Sequence, residues 1–303
     1  MHVELQATCS ALGYQEGSNY VKEPDCLETV KDLIRFLKRE DETCDIRRQL
    51  GHAQIVQKDL LPILKQYKGE TTLWDTVVRL LVNLTQPAVL CFSGGIPEDK
   101  SLRNNYLELL SNLQSMKEAF IDEEVFSVLT EKLGELLKLD WEHRQEEDRL
   151  LIERIFILLR NILHIPPDPD AEQRTDDDAS VHDQVLWAMH TSGLEDVILY
   201  VASSEEERNL SLHILEIVSL MFREQTPELL ATAGVQRSVS EKEKDEQELA
   251  MAREQEKLQK KAAQMKYSTR HSRFGGTFVV KNFKSISDND LIYHKAQGDC
   301  LQD

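Results

Sequence analysis

Between residues 25 and 233, apolar side chains recur three or four positions apart, the spacing of one face of an α-helix. The runs break at Gly and Pro. In DCLETVKDLIRFLKRE (25–40), Leu27, Val30, Ile34 and Leu37 share a face, and Asp25, after Pro24, stands where an N-cap belongs. QLGHAQIVQKDLLPILKQY (49–67) carries Gly51 between two helical patterns and Pro62 near the start of the second. TTLWDTVVRLLVNLTQP (71–87) is apolar on nearly every side from Leu73 to Leu84 and stops at Pro87, which predicts a helix packed between others.

The same grammar returns twice. LRNNYLELLSNLQSMKEAF (102–120) and EEVFSVLTEKLGELLKL (123–139) lead into EEDRLLIERIFILLRNILHIPP (146–167), ended by Pro166 and Pro167. SVHDQVLWAMHTSGLEDVILYVASS (180–204) leads into EEERNLSLHILEIVSLMFREQTP (205–227), ended near Pro227. Aligning the apolar helices brings Asn83, Asn161 and Ser219 to equivalent positions. Such self-similarity predicts an all-α fold over residues 1–235, an armadillo- or HEAT-like α-α superhelix in which no repeat buries its faces alone.

Other segments break the pattern. Residues 166–180, PPDPDAEQRTDDDAS, read as an exposed acidic loop. Residues 236–268 form a charged insertion, acidic in its first half and basic in its second. That polarity suits the dipole of a lone exposed helix, but without an apolar stripe the segment fits a disordered chain equally. Residues 269–303 contain GTFVVKNF, β-prone behind Gly275 and Gly276. A lone strand or hairpin is marginal, so it is expected to dock on the superhelix or to pair with chain beyond residue 303. A solenoid needs a polar terminal repeat; HKAQGDCLQD shows none, so the natural protein is expected to continue.

Composition narrows the function classes. A hydrophobic fraction of 41% supports a core, and 12 Gly and 8 Pro are few for a sandwich or barrel. The net charge of −18 argues against a nucleic-acid coat over the whole surface. Five scattered cysteines, none at Cys-x-x-Cys spacing, fit reduced thiols rather than a disulfide framework. No secretory leader or membrane-spanning run is visible, so a soluble intracellular chain is expected.

Within this acidic chain, Lys257 to Ser287 holds no Asp or Glu but eight basic residues, among them Arg270, Arg273, Lys281 and Lys284. Contact with a phosphate backbone is one use; an acidic protein surface or simple solvation are others. Arg270, Arg273, Gly275, Gly276, Lys281 and Lys284 are the candidate DNA or partner contacts, the glycines permitting a tight turn or close backbone approach. Asn83 and Asn161 interrupt apolar helices, where an unpaired amide would cost about 1–3 kcal/mol. They either face an inner groove and bond a partner's backbone or bond a neighbouring repeat's carbonyl.

No pattern for chemistry accompanies these. The chain has no Gly-x-x-x-x-Gly-Lys, His-Glu-x-x-His or Gly-x-Ser-x-Gly motif. His182 and His190 lie about two helical turns apart and cannot share a metal. Lone histidines are expected at the surface or in hydrogen-bonded positions between helices. Asp176–Asp178 read as a solvated loop, and Glu205–Glu207 as acids at a helix start. No enzyme activity, cofactor or metal is expected.

The segments ELQATCSALGY, KEPDCLETVKDLIRFLKREDET, RLLVNLTQPAVLCF, LLIERIFILLRNILHIP, DDDASVHDQVLWAMHTSGLEDVILYVASS, LHILEIVSLMFREQTPE and RHSRFGGTFVVKNFKSI occur in this order. In them the chain resembles the N-terminal region of the Timeless family, vertebrate replication-type members especially, over nearly its whole length. The resemblance implies a non-enzymatic, nuclear scaffold of the replication fork protection complex. It pairs with Tipin, travels with the replicative helicase, Claspin and other replisome proteins on duplex or forked DNA, and supports the S-phase checkpoint and sister-chromatid cohesion. An alternative is a circadian-clock protein binding Period- or cryptochrome-type partners. An importin-type transport adaptor ranks below both, because Trp74, Trp141 and Trp187 share no offset with the Asn positions.

Overall fold

A computed structural model describes residues 3–17, 19–168, 179–232, 249–255, 257–258, 261–262, 276–284 and 290–295. The described chain is mostly helical and divides into two compact units, Met1–Gln225 and Thr226–Asp303.

The first unit opens with α1 (Val3–Ser10) and a small antiparallel hairpin, β1 (Gly13–Glu16) and β2 (Asn19–Lys22). The helical pattern gave no warning of this hairpin. It is held from outside: the buried Tyr20 hydroxyl donates to Asp59 (2.8 Å), and the Tyr67 hydroxyl donates to the Tyr20 carbonyl (3.0 Å).

Then follow α2 (Cys26–Lys38) and α3 (Asp45–Ala53), a π-helical turn (Val56–Leu60), and α4 (Leu61–Gln66). Asp25 does occupy the N-cap of α2, but its side chain makes no capping bond. Its carbonyl instead accepts from the Thr29 amide (3.0 Å) and hydroxyl (3.0 Å). The π-turn ends two residues before Pro62, which lacks an N–H and crowds the carbonyl four residues back; a wider turn there eases both problems.

The remaining helices are α5 (Thr71–Leu84), α6 (Ala88–Cys91), α7 (Lys100–Ala119), α8 (Glu123–Leu137), α9 (Glu146–His164), α10 (Val181–Thr191), α11 (Leu194–Ser203) and α12 (Ser211–Met221). Their starts are chemically marked. Asp99 accepts from the Ser101 and Leu102 amides, Asp122 from the Glu124 amide, and Ser180 from the Asp183 amide (2.7 Å). Gly193, at φ +71°, supplies the left-handed residue that breaks α10 from α11.

The all-round apolar character of α5 has its expected cause: the helix lies between α2 and α9. In turn α9 packs on α12, α3 on α7 on α10, and α4 on α8 on α11. Trp74, Phe120, Phe126 and Phe156 are fully buried, and the Trp74 indole N–H donates to the Leu64 carbonyl (3.1 Å), so its one polar atom is satisfied.

The second unit contains α13 (Pro227–Thr232), helical residues between 249 and 262, and an antiparallel pair, β3 (Gly276–Lys284) and β4 (Asp290–Lys295). The strand expected in GTFVVKNF is present, and it pairs with DLIYHK within the chain. Register runs from Gly276 opposite Lys295 to Val280 opposite Leu291, with an irregularity before Lys284 meets Asp290. A strand so near in sequence pairs at little loop-closure cost.

Candidate functional site

Helix α9 ends where Ile165 meets Pro166 and Pro167, which cannot continue it. The last carbonyls of a helix have no partner within it, and here side chains from other elements supply one. Arg223 donates through one Nη to the His164 carbonyl (3.1 Å) and through the other to the Ile165 carbonyl (3.1 Å). The Lys117 ammonium, from α7 and only 3% exposed, also donates to the Ile165 carbonyl (2.9 Å). Cations at a helix C-terminus match the dipole.

Lys117 also reaches Nδ1 of the buried His182 (3.2 Å), whose Nε2 lies 3.1 Å from the Leu220 carbonyl. Burial first, and the Lys117 charge second, hold His182 below its ordinary pKa. The ring is therefore neutral, with Nε2–H donating to Leu220 and Nδ1 accepting from Lys117. His182 is thus the hydrogen-bonded inter-helix histidine foreseen in the sequence, while exposed His190 pairs with Glu195 (2.9 Å).

Beside this polar joint a cleft of about 600 Å³ opens. Pro87, Val89 and Leu90 form one wall, Leu215, Ser219 and Leu220 of α12 the other, and Arg160 and His164 of α9 line it between them. Leu90 is 55% exposed and Leu215 66%. Leu212, Leu215, Ser219 and Phe222 form a stripe at helical spacing on the open side of α12. Arg160 donates to Glu216 (3.2 Å) and to the Asn161 side-chain oxygen (3.2 Å). Burial first, then Arg223 and Arg160, hold the His164 pKa below its ordinary value, with Glu216 opposing. No sequence pattern pointed to this cleft.

The residues singled out in the sequence do not gather here. Asn161 is 2% exposed, and its amide donates to the Val82 carbonyl (3.2 Å) and the Thr85 hydroxyl (3.4 Å), tying α9 to the end of α5. Asn83 is half-buried and donates to the Arg79 carbonyl one turn back (2.9 Å). Gly276 opens β3, and Lys281 and Lys284 lie along it; Arg270, Arg273 and Gly275 fall outside the described residues.

Two further polar joints went unread. Arg47 donates to Glu40 (2.7 Å), to Gln86 (3.2 Å) and to the Asn83 carbonyl, fixing α3 to the end of α5. Buried Arg144 donates to Glu207 and to the carbonyls of Leu137 (3.1 Å) and Leu139 (3.0 Å). Glu207 stands at a helix start as expected, capping the turn before α12, and is also half of a buried ion pair. Nothing in a single sequence pairs residues so far apart.

Among the described residues, histidine side chains bond Glu108, Lys117, the Leu220 carbonyl and Glu195 and pair at longer range with Asp140 and Glu153. No group of three or more His, Cys, Asp or Glu among them could hold a metal ion, and no helix among them is long and apolar enough to cross a membrane. The arrangement is that of a mostly helical protein with an apolar-walled cleft.

The model of the Timeless protein family matches residues 19–280, and the chain belongs to that family. It is 58% identical to the human protein timeless homolog over 97% of its own length and 24% of that protein's. It is 27% identical to the mating-type switching protein swi1 of Schizosaccharomyces pombe over 96% of this chain and 31% of the relative. Similarity extends to the topoisomerase 1-associated factor 1 of Aspergillus niger, at 25% identity over 92% of this chain and 25% of the relative. The chain spans about a quarter of the length of the human relative.

Proposed function

We propose that this chain is part of a nuclear, non-enzymatic scaffold that protects the replication fork. Its identity to the human relative, across nearly the whole chain, carries the reading. Helix packing supports an armadillo-type superhelix as the form of that scaffold: α5, α9 and α12 make one row, α3, α7 and α10 a second, and α4, α8 and α11 a third. In this reading α3 begins the first repeat, and α2 stands before it in the row of apolar helices. Tipin, Claspin and the replicative helicase are the partners such a scaffold would hold. Checkpoint signalling and cohesion would follow from keeping them together.

The test exchanges this chain for the matching segment of the human relative in cells depleted of that relative. Restored fork speed and checkpoint-kinase phosphorylation are expected. A chimera that is expressed and nuclear yet leaves forks slow would falsify the reading.

Arg270, Arg273, Lys281 and Lys284 are proposed to contact DNA phosphates. Forked duplex should bind the chain less tightly as salt rises, and the variant with all four changed to Glu should not bind. Equal binding by the two proteins rules the segment out.

A further inference from the structure

We propose that Cys44 and Cys91 are an oxidisable thiol pair: a hydroperoxide oxidises Cys91, and Cys44 then closes a disulfide that ties the start of α3 to the end of α6. This chemistry is independent of the scaffold reading.

The two cysteines are 47 residues apart in the chain and meet through tertiary packing. Cys44 Sγ lies 3.6 Å from the Cys91 carbonyl oxygen, and the Cys44 thiol also donates to the Cys91 sulfur. Backbone geometry singles out Cys44. It holds φ +52° and ψ 35° at the N-cap of α3, in the left-handed region where side chains other than Asn and Asp are uncommon. Ser, Thr, Asp or Asn is the usual residue at a helix start. The Cys44 side chain makes no capping bond and faces Cys91 instead. Backbone strain of this kind clusters at functional positions.

The pair divides the two roles that disulfide formation needs. Cys91 is half-buried, so a small oxidant can reach its sulfur, whereas Cys44 is 2% exposed. The hydrogen bond from Cys44 holds the Cys91 thiol below its ordinary pKa, with Arg47 helping and burial and Glu40 opposing. Cys9 and Cys26 are the contrast: burial pushes each up to about 11, so little thiolate forms near neutral pH. A reachable sulfur of lowered pKa beside a second thiol is the arrangement of a reversible redox cysteine.

The bookkeeping of the step closes. The Cys91 thiolate attacks the terminal oxygen of the hydroperoxide, the O–O bond breaks, and sulfenic acid forms on Cys91. The departing alkoxide takes up the proton that Cys91 gave up and leaves as an alcohol. Cys44 sulfur then attacks the sulfenic sulfur; the S–S bond forms, the S–O bond breaks, and the Cys44 proton leaves with the hydroxyl as water. Two thiols lose two electrons, and the peroxide gains them. A reducing compartment keeps both residues as thiols until such an oxidant arrives.

The test treats the whole reduced chain with hydrogen peroxide, blocks the remaining thiols with N-ethylmaleimide and maps tryptic peptides by mass spectrometry. One cross-linked pair joining the Cys44 and Cys91 peptides is expected, cleaved by dithiothreitol, with Cys9 and Cys26 recovered as alkylated thiols. Cys44→Ser should leave a sulfenic acid on Cys91 that dimedone traps, and Cys91→Ser should leave Cys44 as an alkylated thiol. Oxidised wild type should melt several degrees above the reduced protein, because the bond restricts the unfolded chain, and both variants should lose that shift. Should a variant fail to fold, peptide mapping of wild type still decides. Absence of the Cys44–Cys91 link, a link from either residue to another cysteine, or faster oxidation of Cys9 or Cys26 each overturns the proposal. So does equal yield of the link in guanidinium chloride, since the folded geometry would then not be its cause.

Discussion

Replacing Asn161 by Ala removes a buried amide and leaves the Val82 carbonyl and Thr85 hydroxyl without their donor. The expected loss is about 1–3 kcal/mol by chemical denaturation. Asn83→Ala should stay within about 0.5 kcal/mol, because that amide is half-exposed and bonds only its own helix. The two residues look alike in sequence, each polar inside an apolar helix; what differs is the neighbour, which sequence does not show. His182 gives a pH signature. Its folded pKa lies below the ordinary 6.5, so the unfolded chain takes up the proton first. The stabilisation is full above about pH 6.5 and is lost as pH falls from there toward the folded value. His164, depressed for the same leading reason, adds in the same direction. Melting curves at pH 7.5 and 5.5, run on wild type and His182→Ala, should show a smaller acid-side drop in the variant, measured as a difference so that other titrating groups cancel.

Elements were legible wherever one stripe of apolar residues had to be buried. The helices α2, α5, α8 and α9 lie within their sequence patterns, and α7 begins two residues before its own, because periodicity sets them. The β1–β2 hairpin was not legible, because GYQE and NYVK have no alternating core face and depend on Asp59, Gln66 and Tyr67, some forty residues on. The pairing of α3 with α7 was equally hidden. There a Cβ on Gly51 would fall 2.6 Å from the Asn112 side chain, which donates to the Arg48 carbonyl (3.3 Å). Gly51→Ala should therefore push the helices apart at a cost of about 1–3 kcal/mol, seen as a lower denaturation midpoint. Unchanged stability would mean that Asn112 swings aside freely.

At the scale of the molecule, the charge of −18 works against compaction. Adding salt should screen that repulsion and raise the melting temperature of the chain, and a fall instead would mean that specific ion pairs outweigh it. The same scale governs the cleft, whose walls come from residues 87–90, 160–164 and 215–220 and meet only through tertiary packing. Leu215 and its neighbour Ile214 belong to one apolar run, yet only Ile214 is buried. Leu215→Asp should leave the melting temperature near wild type, whereas Ile214→Asp should unfold the protein, because an unpaired charge would enter the core.

The carbonyl of Ile165 has one further consequence. It accepts from Lys117 and from Arg223, so both its lone pairs are in use, one by a residue that touches His182 and one by a residue behind the cleft. Anything that draws Arg223 away leaves that oxygen to Lys117 alone and alters the charge His182 feels. Thermodynamic linkage makes such an effect reciprocal: a ligand that engages Arg223 should move the titration of His182, and protonating His182 should alter the affinity for that ligand by the same factor. A single peptide oxygen thus acts as a balance point between a surface and an interior.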